Sequence, residues 1–285
     1  MSDRVLVTGA TGTVGSAVVP ELYATDLTVR AASRAAEPDG FADAIGTVQF
    51  SFSRPETWGP ALRGVDRLFL LWPPGTDVSS VTAFLDAAAR RGIDHVTFLS
   101  ILGAGSLPVL PHRRIEGHLN GIDVDGTVLR SAYFAQNLAG IHRPEILDRG
   151  EIFVPAGDGA MGIIDARDVG AVAAGTISRP SHWNRTYTLT GPRALTFHEV
   201  AQIARDVLDR PIRYADPSPL EFGYRLYRRG IDLRLVGFMI AEYTATRLGL
   251  ASRTTRDVER VLGVPPRSVR TFFEDYQARF REPAH

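Results

Sequence analysis

Three glycines spaced three apart, Gly9, Gly12 and Gly15, are the residues of this 285-residue chain whose type and interval speak most directly of chemistry. They sit in VLVTGATGTVG, behind the apolar run Val5, Leu6 and Val7 and ahead of an apolar helical pattern that opens at Val14. Strand, glycine-rich turn and helix in that order make a cradle for a dinucleotide. The glycines permit a sharp turn and let the backbone approach a pyrophosphate, and the unpaired N–H groups at the helix start carry a partial charge of about +0.5 that favours an anion. The spacing G-x-x-G-x-x-G is a variant of the dinucleotide fingerprint, and its place between strand and helix gives it force.

A second chemical choice follows on the next strand, LTVRAAS, Leu27 to Ser33. An NAD site usually places an acid after this strand to hold the ribose hydroxyls, yet no acid occurs before Glu37. Arg34 stands there instead, with Arg30 inside the strand. A planar guanidinium can pair with a 2′-phosphate, so the sequence favours NADP(H) over NAD(H). A later strand, Val65 to Leu71, runs into Trp72-Pro73-Pro74-Gly75. Ligands bind beyond strand carboxyl ends in open α/β sheets, so Trp72 and Pro73 should border the cofactor, with Trp72 either walling the nicotinamide side or packing as core. Further on, His112 and Glu116 are four apart in a helical pattern and share one face.

Composition narrows the chemistry by exclusion. The chain has no cysteine, which removes disulfides, thiolate metal sites and a cysteine nucleophile, and all 32 of its basic residues are arginine. No step can therefore use a lysine amine. A net charge of zero with 44% hydrophobic and 22% charged residues indicates an ordinary globular protein. It gives no broad basic field for nucleic acid or membrane, and no histidine spacing suggests a metal. A start that leads from Met1 straight into the first strand leaves no apolar signal segment, so a cytoplasmic protein is expected.

These residues need a scaffold, and the apolar pattern predicts one. Strands alternate with helices through Val14 to Tyr23, Thr47 to Phe50, Val78 to Arg91, His95 to Ser100 and Gly126 to Arg130. The pattern predicts an α/β fold, a Rossmann-type doubly wound parallel sheet, with a smaller and mostly helical C-terminal lobe. The expected division is a cofactor-binding core over 1–130, with a returning segment near 163–190, and a substrate-binding lobe over 131–285. Pro20 should kink or shorten the first helix. Asp165 and Asp168 read as helix-start partners, and Arg225, Arg228, Arg229 and Arg234 as the polar side of an amphipathic helix.

TGATGTVG near the start, the strand ending at Ser100, LRSAYFAQN at 129–137, the P-x-G-D-G turn at 155–159, IDARDV at 164–169 and GVPPRSVRTFFED at 263–275 together resemble the NmrA-like family. These are atypical short-chain dehydrogenase/reductases that include NADPH-dependent quinone and triphenylmethane-dye reductases and a redox-sensing regulator. The resemblance implies NADPH binding, with Thr8, Gly9, Gly12, Thr13, Val14 and Gly15 around the pyrophosphate and Arg34 near the 2′-phosphate. Where such relatives often carry an aspartate near the adenine, this chain has Phe50-Ser51-Phe52-Ser53. The tyrosine and lysine of typical short-chain dehydrogenases are absent, and His112 with Glu116 matches the H-x-x-x-E that replaces them.

Two readings of that pair stay open: His112 as proton donor oriented by Glu116, or a local helix pair contacting the nicotinamide ribose. Ser100 occupies the place where the parent fold keeps a substrate-binding serine. Leu102 lies in a glycine-rich loop that could cover the nicotinamide, and Tyr133, Phe134 and Asn137 are expected to face the cleft, where aromatics suit a flat conjugated substrate. The expected activity is hydride transfer from NADPH to a small conjugated molecule, a quinone, enone, imine or dye-like aromatic. The alternatives are a non-catalytic NADP-sensing regulator and a non-reductive isomerase or cyclase on the same fold. Oligomeric state is not legible in the sequence.

Overall fold

The computed structural model describes residues 3–35, 40–42 and 44–281. Backbone contacts divide the chain into two compact units. Unit 1 comprises residues 1–131, 166–189 and 257–264, and unit 2 comprises 132–165, 190–256 and 265–285.

Unit 1 begins β1 (Arg4–Val7), α1 (Gly15–Tyr23), β2 (Thr28–Ser33), β3 (Gly46–Gln49), α2 (Trp58–Leu62), β4 (Arg67–Leu71), α3 (Val78–Ala89), β5 (His95–Ile101), α4 (Pro111–Leu119) and β6 (Asp125–Ser131). The chain then enters unit 2 through β7 (Tyr133–Phe134), α5 (Arg143–Arg149), β8 (Glu151–Ile152) and β9 (Ala160–Ile164). It returns to unit 1 for α6 (Ala166–Ser178) and β10 (Thr186–Leu189). Unit 2 continues with β11 (Ala194–Thr196), α7 (Phe197–Leu208), β12 (Arg213–Tyr214), α8 (Pro219–Arg228) and α9 (Leu233–Arg247). A last excursion, α10 (Asp257–Leu262), belongs to unit 1, and α11 (Val269–Asp275) closes unit 2.

The central sheet of unit 1 has seven parallel strands in the order β3-β2-β1-β4-β5-β6-β10. Its middle strands are covered on both faces, and their sequences accordingly read as near-continuous apolar runs, RLFLL in β4 and HVTFLSI in β5. Strand order reverses between β1 and β4. The carboxyl ends of those two strands therefore diverge into a crevice, the place where open α/β sheets take their ligands. On one face Phe84 of α3 anchors the core against the rings of Phe50, Phe52 and Trp58, at centroid distances of 4.8, 5.5 and 5.6 Å. On α1, Pro20 neither breaks nor shortens the helix, which runs on to Tyr23. At the amino end of β5, His95 is fully buried, stacked on Trp183 at 4.5 Å and bonded through Nε2 to Thr127.

Unit 2 is built on helices with two small sheets, β7-β9-β11 and β8-β12. Its core gathers Phe197, Phe222, Tyr243 and Phe272. Helix α7 starts with a capping box, Thr196 and Glu199 each accepting from the other's backbone N–H. The arginines at the end of α8 are occupied within the unit: Arg229 makes a forked pair with Glu145 at 2.8 and 3.0 Å, and Arg225 reaches Glu151 at 3.3 Å. No helix among the described residues is long and apolar enough to cross a membrane, and no three of their metal-ligating side chains cluster.

Candidate functional site

The glycine turn lies at the carboxyl end of β1. Gly9 adopts φ +64°, a left-handed conformation that costs other residues a clash at Cβ. Gly15 is needed for a different reason: a Cβ there would stand 2.1 Å from the Gly9 carbonyl oxygen and 2.7 Å from Ala10 Cα, so the helix start can press on the turn only without a side chain. The turn is held by Gly12 N–H donating to Gly9 O at 2.9 Å and Ala10 N–H donating to Ala32 O of β2 at 3.3 Å. Helix α1 has Val14 at its cap position and no side-chain cap. The amides of Thr13, Val14 and Gly15 donate to no acceptor among the described residues. Three free N–H groups at a helix start, on a turn that excludes a side chain, fit a dinucleotide pyrophosphate.

Thr8 acts one step behind. It is fully buried, and its hydroxyl donates to Phe69 O at 3.1 Å while accepting from Leu71 N–H at 2.9 Å. Its side chain thus clasps β1 to β4 beneath the crevice and is not free for a ligand. The two arginines of the second strand part company. Arg30 donates to the carbonyls of Ala61 and Arg63 at 3.0 and 2.7 Å, which removes it as a phosphate clamp. Arg34 directly follows β2, is exposed, and its guanidinium has no hydrogen-bond or ionic partner among the described residues.

On the other flank of the turn, Trp72 directly follows β4 and is half-buried, its indole N–H donating to Thr76 O at 2.9 Å. Pro73 is half-buried beside it, and its carbonyl accepts from Thr76 N–H. The indole meets the His112 ring edge-on at 4.9 Å, and Phe98 lies 6.2 Å from that ring on another side. His112, second residue of α4, is therefore buried. Its Nδ1 is enclosed with no hydrogen-bond partner among the described residues. Burial pushes its pKa down to about 4, and the charge of Glu116 opposes that shift only in part. Burial thus favours the neutral form of the His112 imidazole.

Glu116 also departs from the expected pairing. Its carboxylate is almost wholly buried, and it accepts from Ser100 Oγ at 2.6 Å and from Arg130 Nε and Nη2 at 3.0 and 2.7 Å. Arg113 adds a more distant charge at 3.6 Å. Burial alone would push this carboxyl up, but the Arg130 and Ser100 hydrogen bonds and the two arginine charges outweigh it and hold the group below its ordinary pKa. The strand register explains the constellation, since Ser100 and Arg130 are direct neighbours across β5 and β6. Glu116 on α4 closes the triangle over their ends. It secures Arg130 and Ser100, not the His112 ring.

Residues 1–222 match the model of the NmrA-like family. The chain belongs to that family. The NAD(P)H azoreductase of Xenophilus azovorans is 31% identical over 97% of this chain and 99% of its own length. The prestalk A differentiation protein A of Dictyostelium discoideum is 29% identical over 95% and 91%. Among solved structures, the Citrobacter sp. triphenylmethane reductase complexed with NADP(H) superposes with a TM-score of 0.82 at 24% identity, covering 94% of this chain and 98% of that one. The Rossmann-type parallel sheet is thus shared with a fold neighbour.

In this NmrA-like chain the remaining expected site residues fall on both units. Leu102 of unit 1 is half-buried, and its N–H donates to Ser131 O at 2.8 Å, pinning the loop after β5. Tyr133 of unit 2 is 4% exposed and packed on Phe197, and its hydroxyl accepts from that of Tyr243 at 3.2 Å. Phe134 and Asn137 are half-buried in the same unit. Glu242 is a half-buried acid in the apolar stretch FMIAEYTATR.

Proposed function

We propose that this chain is an NADPH-dependent reductase that passes hydride to a small conjugated acceptor, such as a quinone, enone, imine or dye-like aromatic. The observation that carries the reading is the glycine turn with three amides that are free among the described residues, flanked by the exposed Arg34 after β2 and by Trp72 over His112 after β4. Relatives named as reductases over nearly their whole length support it.

When bound, the nicotinamide supplies the two-electron reductant, and the chain's own groups bind and position. The amides of Thr13, Val14 and Gly15 hold the phosphates, and the Arg34 fork selects the 2′-phosphate. The crossed rings of Trp72 and His112 form a rigid wall at the carboxyl end of β4. His112, kept uncharged by burial, offers Nδ1 for a hydrogen bond and does not rest as an imidazolium acid at neutral pH. Ser100 and Arg130, fixed by Glu116, present polar atoms in a set orientation. A polarised acceptor then takes its proton from water, and pre-organisation does the protein's share of the work.

The test is nicotinamide absorbance against a panel of quinones, enones and cationic dyes, with calorimetry of NADPH and NADH. The parent is expected to bind NADPH about tenfold more tightly than NADH, the size of one charge-assisted hydrogen bond of about 1.5 kcal/mol. Arg34→Ala should remove that preference, while Arg30→Ala should leave it. Equal binding of both nucleotides by the parent would sink the phosphate clamp. Tight binding with no turnover on any acceptor would assign a nucleotide-sensing role, and binding of neither nucleotide would point to non-reductive chemistry.

A further inference from the structure

Helix α8 is apolar on two opposite sides, and the core of unit 2 uses one of them. Phe222 and Leu226, four apart, are buried in that core, and Arg229 just past the helix end is tied to Glu145. On the other side Leu220, Tyr224 and Tyr227 recur at intervals of four and three, which sets them in one ridge along the helix. They are 87%, 64% and 58% exposed. Apolar side chains scattered singly over a surface need no explanation. Three in register on one helix make a continuous patch, and tyrosine is a residue type that interfaces gather.

The charges beside the ridge say what covers it. Glu221 and Arg228 are exposed and seven residues apart, so they line one flank of the ridge, the acid near its amino end and the base near its carboxyl end. Glu221 touches Arg225 at 3.6 Å, a contact that leaves its carboxylate largely in solvent and adds little. Two such helices laid antiparallel about a twofold axis bring each Glu221 against Arg228 of the other copy, because the axis then falls midway between residues 224 and 225. The same register sets Leu220 of each copy beside Tyr227 of the other and brings the two Tyr224 rings together at the axis. The ridge is thus complementary to itself in apolar pattern and in charge, as a twofold interface requires. Asp232 and Arg234, exposed just beyond the helix, keep the surroundings balanced, so the patch lacks the basic field that draws a protein to an anionic membrane.

We propose that the outer side of α8 is a docking surface for a second copy of this chain, packed antiparallel across a twofold axis with Tyr224 at its centre and Glu221 opposite Arg228 fixing the register. The surface belongs to unit 2 alone, and the proposal stands independently of the reductase reading. The apolar ridge supplies the affinity, and the ion pairs supply the choice of partner and register, since solvated pairs add little stability. One helix face is a small interface, at the weak end of protein association, so a Kd of about 10 µM is expected.

Sedimentation velocity of the full chain over about 1 to about 200 µM spans that value and reads the association. The parent should pass from monomer to dimer. Tyr224→Ser removes the central aromatic anchor and should raise the dimer Kd about tenfold. Glu221→Arg sets like charges face to face twice in every dimer, as does Arg228→Glu, and each should weaken association about fivefold. An equimolar mixture of those two variants restores both pairs of opposite charges and should dimerise within about twofold of the parent, an outcome that damage to folding cannot mimic. All three sites are exposed, so Tm at low concentration should stay that of the parent. A parent that is monomeric throughout overturns the proposal. So does a dimer that Tyr224→Ser and both charge reversals leave intact, or a mixture no tighter than its components. Flotation of the monomer with phospholipid vesicles, abolished by Tyr224→Ser, would overturn it too and give the ridge to a lipid surface.

Discussion

Mild acid should unfold this protein by an amount that its buried histidines set. His95, His112 and His142 are enclosed, and burial pushes their pKa values from 6.5 down to about 3, 4 and 3. In the unfolded chain each returns to the ordinary value, so between about pH 6.5 and pH 4 the unfolded state binds up to three more protons there than the native state. Stability contributed by keeping them neutral is complete above pH 6.5 and is lost as pH falls towards the native values. Glu242 works in the opposite sense. Its carboxyl is pushed up from 4.5 to about 7, so the native state binds the extra proton and is favoured by acid over that interval. The three histidines outweigh the single carboxyl, and integrating the difference from about pH 6.5 to about pH 5 leaves a net loss of about 3 kcal/mol. That is a large part of the stability of an ordinary domain. Urea unfolding followed by tryptophan fluorescence at the two pH values measures it directly. In His142→Gln, where the amide can still bond the Tyr243 hydroxyl, the loss should shrink by about half. Equal or greater stability at pH 5 would refute the argument, because it would mean that these imidazoles protonate freely in the native fold.

Two further outcomes follow from contacts already described. Gly15→Ala forces a methyl to within 2.1 Å of the Gly9 carbonyl, and we expect a loss of about 3 kcal/mol or more by urea unfolding, with NADPH no longer raising Tm. Glu116→Ala strands the Arg130 guanidinium and the Ser100 hydroxyl, and should cost about 3–5 kcal/mol, whereas Glu116→Gln keeps an acceptor and costs less.

Much of unit 1 was legible because its strands are apolar runs and its first turn has glycines with separate steric duties. The mostly helical character of the C-terminal lobe was legible for the same kind of reason, since helix periodicity and start signals such as those of α7 and α8 are local. What the sequence withheld depends on pairing at long range. A returning segment near 163–190 was visible, but the place of β10 as the seventh strand beside β6 is a matter of topology. Likewise His112 and Glu116 share a helical face, yet one ring is buried under Trp72 and the other side chain is drawn to Arg130 by the register of β5 and β6. Spacing shows that two side chains can meet; only packing shows which third group takes one of them first. Arg30 and Arg34 make the same point, because nothing in LTVRAASR announces that the first is committed to the carbonyls of residues 61 and 63.

The path of the chain carries a consequence for how such proteins diversify. Unit 1 is assembled from three separate stretches, and the last of them, α10, supplies Asp257, whose carboxylate accepts from Thr188 N–H of the outermost strand β10 at 2.8 Å. The backbone passes between the units five times, at 131/132, 165/166, 189/190, 256/257 and 264/265. Neither half can be lifted out as a cassette. A recombination event that imported a foreign unit 2 in one piece would also import a foreign edge strand and its fastening. Change in what this protein accepts is therefore channelled into point substitutions, made one at a time on a scaffold that stays whole.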